Sequence, residues 1–231
     1  MKKIAALDFD GTLSKGYISM EFLDYLFNNK LCNPNIYQKQ MNALDNYNSK
    51  NISYNDWCKE WGILWAQGLN GQSVSQISEA AETFFEGFKN NIYSSSPKLV
   101  SLLKEKGYET VILSTGAKEV VSLAADYLGA EKTYATRISV RDKTYSGRLL
   151  TDFHLPNGKR NFISKLKKTN IYSWDDSMGF GDSTHDIEVL DSVEIAVALN
   201  PQEILTNIAE KKHWQVFSHK DVVYNMNKLL F

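Results

Sequence analysis

Cysteine and proline are scarce in this 231-residue chain. The lack of cysteine excludes a small protein that is held together by several disulfides. There are two cysteines, Cys32 and Cys58, and four prolines. The cysteines fit no Cys-x-x-Cys metal or redox pattern, so neither a disulfide-rich scaffold nor a structural zinc site is expected. We predict two buried free thiols. The length indicates one ordinary domain or a core with an insertion.

The sequence also lacks long hydrophobic runs and an excess of either charge. The first apolar run, Ile4 to Leu7, ends at Asp8 and is much shorter than the roughly 7–15 residues of a signal-peptide core. No stretch approaches the roughly 20 apolar residues of a membrane span. The net charge is −1, which provides no reason to expect a nucleic-acid partner or an anionic membrane surface. We therefore expect a cytoplasmic protein with neither partner.

A short apolar segment opens the chain and leads into a region with helical periodicity. Lys3 to Leu7 predicts a buried strand. Residues 17–88 predict helices, with Ser53 and Ser73 as candidate N-caps and a turn at Gly68 to Gly71. Apolar residues recur there at spacings that form one helix face. They are Trp57, Trp61, Leu64 and Trp65, and then Ile77, Ala81, Phe84, Phe85 and Phe88.

After Tyr93 the sequence alternates between strands and helices. Ser96 and Pro97 suit the N-cap and first position of a helix. The predicted elements are a helix over 97–106, a strand over 109–113, a helix over 118–128, a hairpin of 135–141 and 144–149 turning at 142–143, a helix over 161–168, a strand ending at 178–181, a helix over 184–190, a strand over 194–199 and a helix after 201. The alternation predicts an α/β fold, a parallel sheet with helices on both faces. Residues 1–14 and 97–231 would form this core, with 15–96 an inserted all-helical cap.

Two carboxylates follow the first predicted strand, in Asp8-Phe9-Asp10-Gly11-Thr12. Residues i and i+2 of an extended chain point the same way, so Asp8 and Asp10 would share a face at the sheet edge. Like charges this close need a cation, or one of them must hold a proton. Gly11 would let the chain turn sharply afterwards. An acidic strand-to-loop turn is the alternative interpretation.

Two later pieces could bind an anion, although each has an ordinary explanation. Ser114-Thr115-Gly116 lies between a predicted strand and a helix, where a hydroxyl and backbone amides suit an anion. Taken alone, this piece fits a simple N-cap better. Lys159 could neutralise phosphate or carboxylate charge. Most lysines are merely solvated, and Arg160 is the rival candidate.

A second acidic pair lies in Gly181-Asp182-Ser183-Thr184-His185-Asp186, after a strand and at the start of a helix. Asp182 and Asp186 are four residues apart, so both can face the same site. Oxygen ligands of this kind suit Mg²⁺, which also retains waters and takes phosphate oxygens. Helix capping by Asp182 and Ser183 is the alternative, and His185 is not expected to bind metal.

DFDGT, STG, a later lysine and GDSTHD, in this order, resemble the four motifs of the haloacid dehalogenase superfamily of phosphatases. The helical insert after the first motif, and the segment Ala198 to Pro201, resemble its phosphoserine phosphatase-like branch. The resemblance covers nearly the whole chain. It implies a Rossmann-like core with a mobile helical cap.

The resemblance also implies a role for each matching residue. Asp8 would attack phosphorus and become an aspartyl-phosphate, and Asp10 would protonate the departing alcohol. The implied ligands of Mg²⁺ are the acidic residues of the first and fourth motifs, namely Asp8, Asp10 through its carbonyl, Asp182 and Asp186. The implied phosphate-binding residues are Ser114, Thr115, Gly116 and Lys159.

The predicted cap departs from the phosphoserine phosphatase-like branch, whose members hold the serine ammonium and carboxylate with a glutamate and an arginine. The residues between Ser14 and Ser96 include no arginine, six lysines and eight acidic residues. Tyr17 stands at the usual glutamate position, with Glu21 nearby. A buried substrate carboxylate needs a cationic partner, so phosphoserine should be a poor substrate. A neutral or amine-bearing leaving group is favoured.

We therefore predict a phosphatase that hydrolyses a small phosphorylated metabolite, as a monomer or homodimer. A phosphotransferase or mutase using the same aspartyl-phosphate is the first alternative, and a non-catalytic phosphometabolite-binding protein is the second. Cap aromatic residues could line the substrate pocket, although their helical spacing favours a role for most of them in the cap core. They are Tyr17, Tyr25, Tyr54, Trp57, Trp61 and Trp65.

Overall fold

The computed structural model describes residues 1–230 and has a main sheet of six strands beside a two-stranded hairpin. The strands are β1 (Lys2–Leu7), β2 (Tyr108–Ala117), β3 (Lys132–Thr136), β4 (Ile138–Arg141), β5 (Thr144–Leu149), β6 (Tyr172–Gly181), β7 (Ile195–Leu199) and β8 (Gln215–Phe217). The order in the main sheet is β3-β2-β1-β6-β7-β8, and every neighbouring pair is parallel. The predicted parallel sheet is confirmed.

Helices fall into two groups along the chain. Those between β1 and β2 are α1 (Ile18–Asn28), α2 (Pro34–Asn48), α3 (Tyr54–Gly68), α4 (Val74–Phe88) and α5 (Ser96–Glu105). Those after β2 are α6 (Lys118–Leu128), α7 (Gly158–Lys167), α8 (Ile187–Leu190), α9 (Glu203–Lys212) and α10 (Val222–Leu229), and short 3₁₀ turns occupy Lys89–Asn91 and Thr184–Asp186. Within the described residues, no helix is both long and apolar enough to span a membrane.

The residues of β1 show why both faces of the sheet are covered. Ala5 and Leu7 join a core cluster with residues of α5, α6 and α10. Ile4 and Ala6, which point the opposite way, join clusters with residues of α7 and α8. Each large aliphatic side chain buried in this way stabilises the fold by about 1.5–3 kcal/mol. The Rossmann-like fold with helices on both faces is confirmed.

The helical insert is rich in buried aromatic side chains, as its periodicity predicts, and they belong to the same core cluster as residues of the sheet. Trp65 and Phe22 are fully buried, with ring centroids 5.9 Å apart. The insert also hydrogen-bonds to the β4–β5 hairpin, since Gly71 N and Val74 N donate to carbonyls of that hairpin at 2.8 and 3.0 Å. The division into a cap of residues 15–96 and a core of 1–14 and 97–231 stays a prediction.

Several predicted boundaries are wrong, because the ends of apolar runs do not mark where backbone pairing stops. β2 extends to Ala117, past the end predicted at 113, and its last residues include Ser114 to Gly116. The strand predicted over 135–141 is divided between β3 in the main sheet and β4 in the hairpin. The hairpin turn at Asp142 and Lys143 is confirmed, and both residues have positive φ angles.

Helix starts show the same kind of error. Ser53 is confirmed as an N-cap, because its hydroxyl accepts a bond from the backbone N–H of Asp56. Ser73 precedes α4 but makes no side-chain cap bond. Ser95, and not Ser96, occupies the N-cap of α5, while the Ser96 hydroxyl donates to the carbonyl of Leu13 at 2.8 Å. The Ser96 hydroxyl, which the local sequence pattern assigns to helix capping, instead bonds to a residue that is distant in sequence.

Glu109 is a buried carboxylate at the start of β2, 6% exposed, and it stabilises the sheet in a pH-dependent way. Lys132 Nζ lies 2.6 Å from Glu109 Oε1, and Lys2 and Tyr172 also donate to this carboxylate. Burial raises the pKa of Glu109, but the bonds from Lys132, Lys2 and Tyr172 outweigh it and bring the pKa to about 2.

We expect Glu109→Gln to lower the melting temperature at pH 7, where the loss of charge-assisted hydrogen bonds costs on the order of 1–3 kcal/mol. Because the folded-state pKa of Glu109 lies below the ordinary 4.5, its contribution is complete above that pH and is lost as the pH falls towards 2. The difference from wild type should therefore shrink below pH ~4.5. Thermal melts at several pH values, with exposed Glu210→Gln as the control, measure it. A difference that persists unchanged at pH 3 would contradict this role.

Candidate active site

Three of the four predicted motifs meet at one edge of the main sheet. Asp8 directly follows β1, Ser114 to Gly116 form the end of β2, and Asp182 directly follows β6. These strands are neighbours in the order β2-β1-β6, and all run the same way. In open α/β sheets the carboxyl ends of the strands are where ligands bind.

The remaining motif, the lysine, reaches the same edge from the first turn of α7. Lys159 Nζ lies 2.6 Å from Asp8 Oδ1 and 2.6 Å from Asp186 Oδ1, and the Lys159 side chain is 3% exposed. Burial lowers its pKa, but Asp186 and Asp8 outweigh this and raise it above its usual value, so Lys159 is charged. Arg160, 61% exposed, contacts Glu188 instead. Of the two candidate cations, Lys159 is the one in the site.

Asp8, Asp182 and Asp186 form a cluster in which one oxygen of each carboxylate lies within 4.8 Å of the others. The Thr12 hydroxyl links two of them, at 3.1 Å from Asp8 Oδ2 and 3.2 Å from Asp182 Oδ1. Burial and then the nearby Asp186 raise the pKa of Asp8 to about 6, and burial with Asp186 raises that of Asp182 well above its usual range. Three buried carboxylates against one lysine fit a divalent cation, and their all-oxygen chemistry fits Mg²⁺.

The Asp186 carboxylate has one oxygen on Lys159 and the other inside its own turn. Asp186 Oδ2 accepts bonds from the backbone N–H groups of Asp182 and Ser183 and from the Ser183 hydroxyl, at 3.1–3.2 Å. The Asp182 carboxylate accepts a bond from Gln202 Nε2 at 3.2 Å. Asp186 therefore orients Lys159 and the Asp182 turn, besides belonging to the acidic cluster.

Asp10 lies outside that side-chain cluster and connects the first motif to α1. Asp10 Oδ1 accepts the backbone N–H of Ile18 at 2.8 Å, so it caps α1, where Tyr17 in the N-cap position makes no such bond. Burial is the main reason that the pKa of Asp10 is raised to about 8, and the neighbouring Asp8 adds to it. The two carboxyls of this motif therefore differ in pKa, and Asp10 is the one that holds a proton at neutral pH.

Gly11 is the position in this loop where a side chain cannot fit. Its φ angle is +82°, and a Cβ there would lie 2.4 Å from Asp182 Oδ2. The predicted sharp turn is confirmed. Because Gly11 has no side chain, the first motif can lie close to Asp182 of the fourth motif.

One of the amides predicted to bind an anion in the second motif already donates to a hydroxyl, and so does the amide that follows the motif. Gly116 N donates to Ser114 Oγ at 2.9 Å, and Ala117 N donates to Ser19 Oγ at 2.7 Å. The hydroxyls of Ser114 and Ser19 can in turn donate outward. Sequence analysis missed Ser19, a cap residue, and also Thr12 and Gln202 as partners of the acidic cluster, because no local pattern marks them.

A cleft lies between these groups and the helical insert. Asp8, Asp10, Ser114, Thr115, Gly116 and Lys159 line its core side. Its cap side includes Tyr17, Tyr54, Trp57 and Trp61, four of the six aromatic residues singled out from the sequence. The two tryptophans also belong to the buried core cluster, so they pack in the cap and line the cleft at once.

Two further lining residues are inert as acids or bases near neutral pH. Cys58 is a free thiol, as predicted for both cysteines, and burial raises its pKa to about 12. His185 packs edge-on against Tyr54, with ring centroids 5.3 Å apart. Burial, followed by the charge of Lys159, lowers the pKa of His185 to about 4, so its ring is neutral.

Comparison with known proteins agrees with this arrangement. Residues 5–191 match the profile of the haloacid dehalogenase-like hydrolases, and the chain belongs to this family. The inhibition of morphological differentiation protein of Streptomyces azureus is 30% identical over 158 residues, covering 68% of this chain and 56% of that protein. A probable phosphatase of Mycobacterium tuberculosis is 28% identical over 149 residues, covering 64% and 52%. The chain thus spans about half the length of these curated relatives.

Among solved structures, a phospho-aspartyl intermediate analogue of phosphoserine phosphatase has the same fold. It superposes with a TM-score of 0.66 at 17% identity, over 96% of this chain and 98% of that one. At this level of identity the likeness concerns the fold alone. It extends to the inserted helices, since nearly the whole of each chain is covered.

Proposed function

We propose that this chain is a phosphatase that hydrolyses a small phosphate monoester through an aspartyl-phosphate on Asp8. The observation that carries the proposal is the surroundings of Asp8. This carboxylate lies at the carboxyl end of a central strand, 2.6 Å from a buried lysine and within a cluster of carboxylates that suits a cation. A phosphate dianion can approach an anionic nucleophile only where positive charge offsets the repulsion.

Each half of the proposed reaction uses Asp8 and Asp10. In the first, a carboxylate oxygen of Asp8 attacks phosphorus, the bond from phosphorus to the alcohol oxygen breaks, and Asp10 gives that oxygen its proton. In the second, Asp10 takes a proton from water, the water oxygen attacks phosphorus, and the bond to Asp8 breaks. Phosphate leaves, and both carboxyls return to their initial states.

The other residues hold charge and position. Lys159 donates to phosphoryl oxygens, together with the Ser114 hydroxyl, and Thr115 and Gly116 shape the end of β2 beside them. The residues that would hold Mg²⁺ are the Asp8 carboxylate, the Asp10 carbonyl and Asp182, with Asp186 beside them. The ion would supply positive charge to the phosphoryl oxygens as charge develops there.

The comparisons support this function without extending to the substrate. The M. tuberculosis relative is named a probable phosphatase, and the superposed structure is a phospho-aspartyl intermediate analogue. The buried carboxyl of Asp10, with its pKa raised to about 8, favours catalysis over binding alone, because it can supply the proton that the leaving alcohol needs.

Release of inorganic phosphate from a monoester such as p-nitrophenyl phosphate, without any added acceptor, tests the proposal. We expect release with Mg²⁺, and a fall to background after dialysis against EDTA, because the carboxylate cluster loses its counter-charge. Adding Mg²⁺ back should restore activity, and circular dichroism should show an unchanged fold throughout. Full activity after exhaustive chelation would contradict the metal requirement. Phosphate transfer only to an added alcohol would indicate a phosphotransferase instead.

A further inference from the structure

The cap side of the cleft is built from aromatic rings held in fixed positions. Trp57 is at the centre of this group, with the Tyr17 ring edge-on at 5.2 Å and the Tyr47 ring stacked at 5.0 Å between centroids. Tyr54 lies 5.7 Å from Trp57 by the same measure. Trp57 is 4% exposed, so its neighbours fix its orientation before any ligand binds. We call Tyr17, Tyr54, Trp57 and Trp61 the aromatic wall.

Charge in the cleft is unfavourable to a second anionic group on the substrate. Lys159 is the one cationic side chain among the described lining residues, and both of its partners are carboxylates of the core. His185 is neutral. A phosphate dianion and a divalent cation offset each other, so three carboxylates would still outweigh one lysine. A carboxylate on the leaving group would lie buried without a partner, which is costly.

The described residues that line the aromatic side of the cleft include no carboxylate that could pair with a primary ammonium. Glu21, the nearest cap carboxylate in sequence, accepts two bonds from Asn91 Nδ2 and is not among the lining residues. An ammonium with N–H groups would have to give up bonds to water here, whereas a quaternary ammonium has none to lose.

We propose that the aromatic wall receives a quaternary ammonium, so that the substrate is the phosphate monoester of a small alcohol carrying that group. This rests on the proposed phosphatase function. The faces of tryptophan and tyrosine rings attract such cations, and the acidic cluster of Asp8, Asp182 and Asp186 next to the core side of the cleft adds a favourable field. Phosphocholine is the simplest probe of the class.

Steady-state kinetics on the whole chain test the assignment. We expect kcat/KM for phosphocholine to exceed the values for phosphoserine, glycerol 3-phosphate and phosphoethanolamine by tenfold or more, about 1.4 kcal/mol in transition-state binding. Higher or equal values for phosphoserine or glycerol 3-phosphate would overturn the inference. Equal or faster hydrolysis of phosphoethanolamine would overturn the quaternary ammonium in favour of a primary amine.

Two variants at Tyr17 separate the ring from the hydroxyl. Tyr17→Phe keeps the ring and should retain most of the preference for phosphocholine over glycerol 3-phosphate. Tyr17→Leu removes the ring and should lower that preference about tenfold, whatever it does to overall activity. A preference that is unchanged in Tyr17→Leu would count against the aromatic wall.

Binding provides a measurement that does not depend on turnover. In the Asp8→Asn variant, quenching of tryptophan fluorescence should report tighter binding of choline than of ethanolamine or glycerol, with or without Mg²⁺. Absence of that order would overturn the inference even if phosphatase activity is found. If no monoester is hydrolysed, including p-nitrophenyl phosphate, the proposed function is wrong. The order of binding affinities then tests by itself whether the aromatic wall binds a quaternary ammonium.

Discussion

Asp8→Asn is expected to eliminate turnover, with kcat lowered by at least about 10⁴-fold on every phosphate monoester. An amide oxygen is a far weaker nucleophile than a carboxylate, and no other carboxylate in the cluster is placed to replace it. Asp182 bonds to Thr12 and Gln202, and Asp186 bonds to Lys159 and its own turn. Loss of the nucleophile therefore removes the covalent route.

The same variant should remain folded. Asparagine has nearly the volume of aspartate, and its one carbonyl oxygen can keep either the bond from Thr12 or the bond from Lys159. Burial and Asp186 raise the pKa of Asp8, which means that its charge is a cost to the folded protein when no cation is bound. Lys159 retains Asp186 as a partner at 2.6 Å. We therefore expect a melting temperature without Mg²⁺ that is equal to wild type or higher.

Phosphate release and thermal melts on wild type and Asp8→Asn measure both effects. Asp175→Asn, the same chemical change at an exposed position of β6, is the matched control and should behave as wild type. Residual kcat within tenfold of wild type would rule out Asp8 as the nucleophile. An unfolded variant would instead indicate a structural role for the charge.

Asp10→Asn is the second large effect, and its size should depend on the leaving group. An alkoxide leaves poorly without a proton, so loss of the general acid should lower kcat/KM on an alkyl phosphate by about 10²–10⁴-fold. p-Nitrophenolate is a stable anion and needs little protonation, so its phosphate should lose much less. The asparagine carbonyl can still accept the N–H of Ile18, so the link between the first motif and α1 is kept.

The informative quantity is the loss of kcat/KM on the alkyl phosphate divided by the loss on p-nitrophenyl phosphate. Both substrates are assayed with the same enzyme preparation, so differences in folding or Mg²⁺ content cancel. Equal losses on the alkyl and aryl substrates would exclude the acid role and leave Asp10 as a structural cap of α1.

Sequence analysis identified the carboxylates of the site because they follow strands, where local pattern is informative. Asp8 and Asp182 each come directly after a strand, and the sheet brings those strand ends together. The spacing of Asp182 and Asp186 was enough to predict that both face one site. The family resemblance supplied the roles, which remain proposals.

Boundaries and partners were harder to predict, for a physical reason. The end of β2 is set by pairing with β1 and β3, not by the apolar run within it. Ser96 was assigned to a cap, yet its hydroxyl bonds to Leu13, 83 residues away in the chain. Strand ends and hydrogen-bond partners depend on residues that are distant in sequence but close in the folded protein. A short stretch of sequence does not contain those residues.

The amino-acid sequence by itself determined the α/β class, the order of the four motifs and the acidic inventory of the site, since these depend on periodicity and on residue type. Only the tertiary structure decided that Lys159 and not Arg160 reaches Asp8, across 151 residues. Only the tertiary structure brought Ser19 to the end of β2 and turned four cap aromatics towards the cleft. These are contacts between distant segments, and their geometry is set by how the insert packs over the sheet edge.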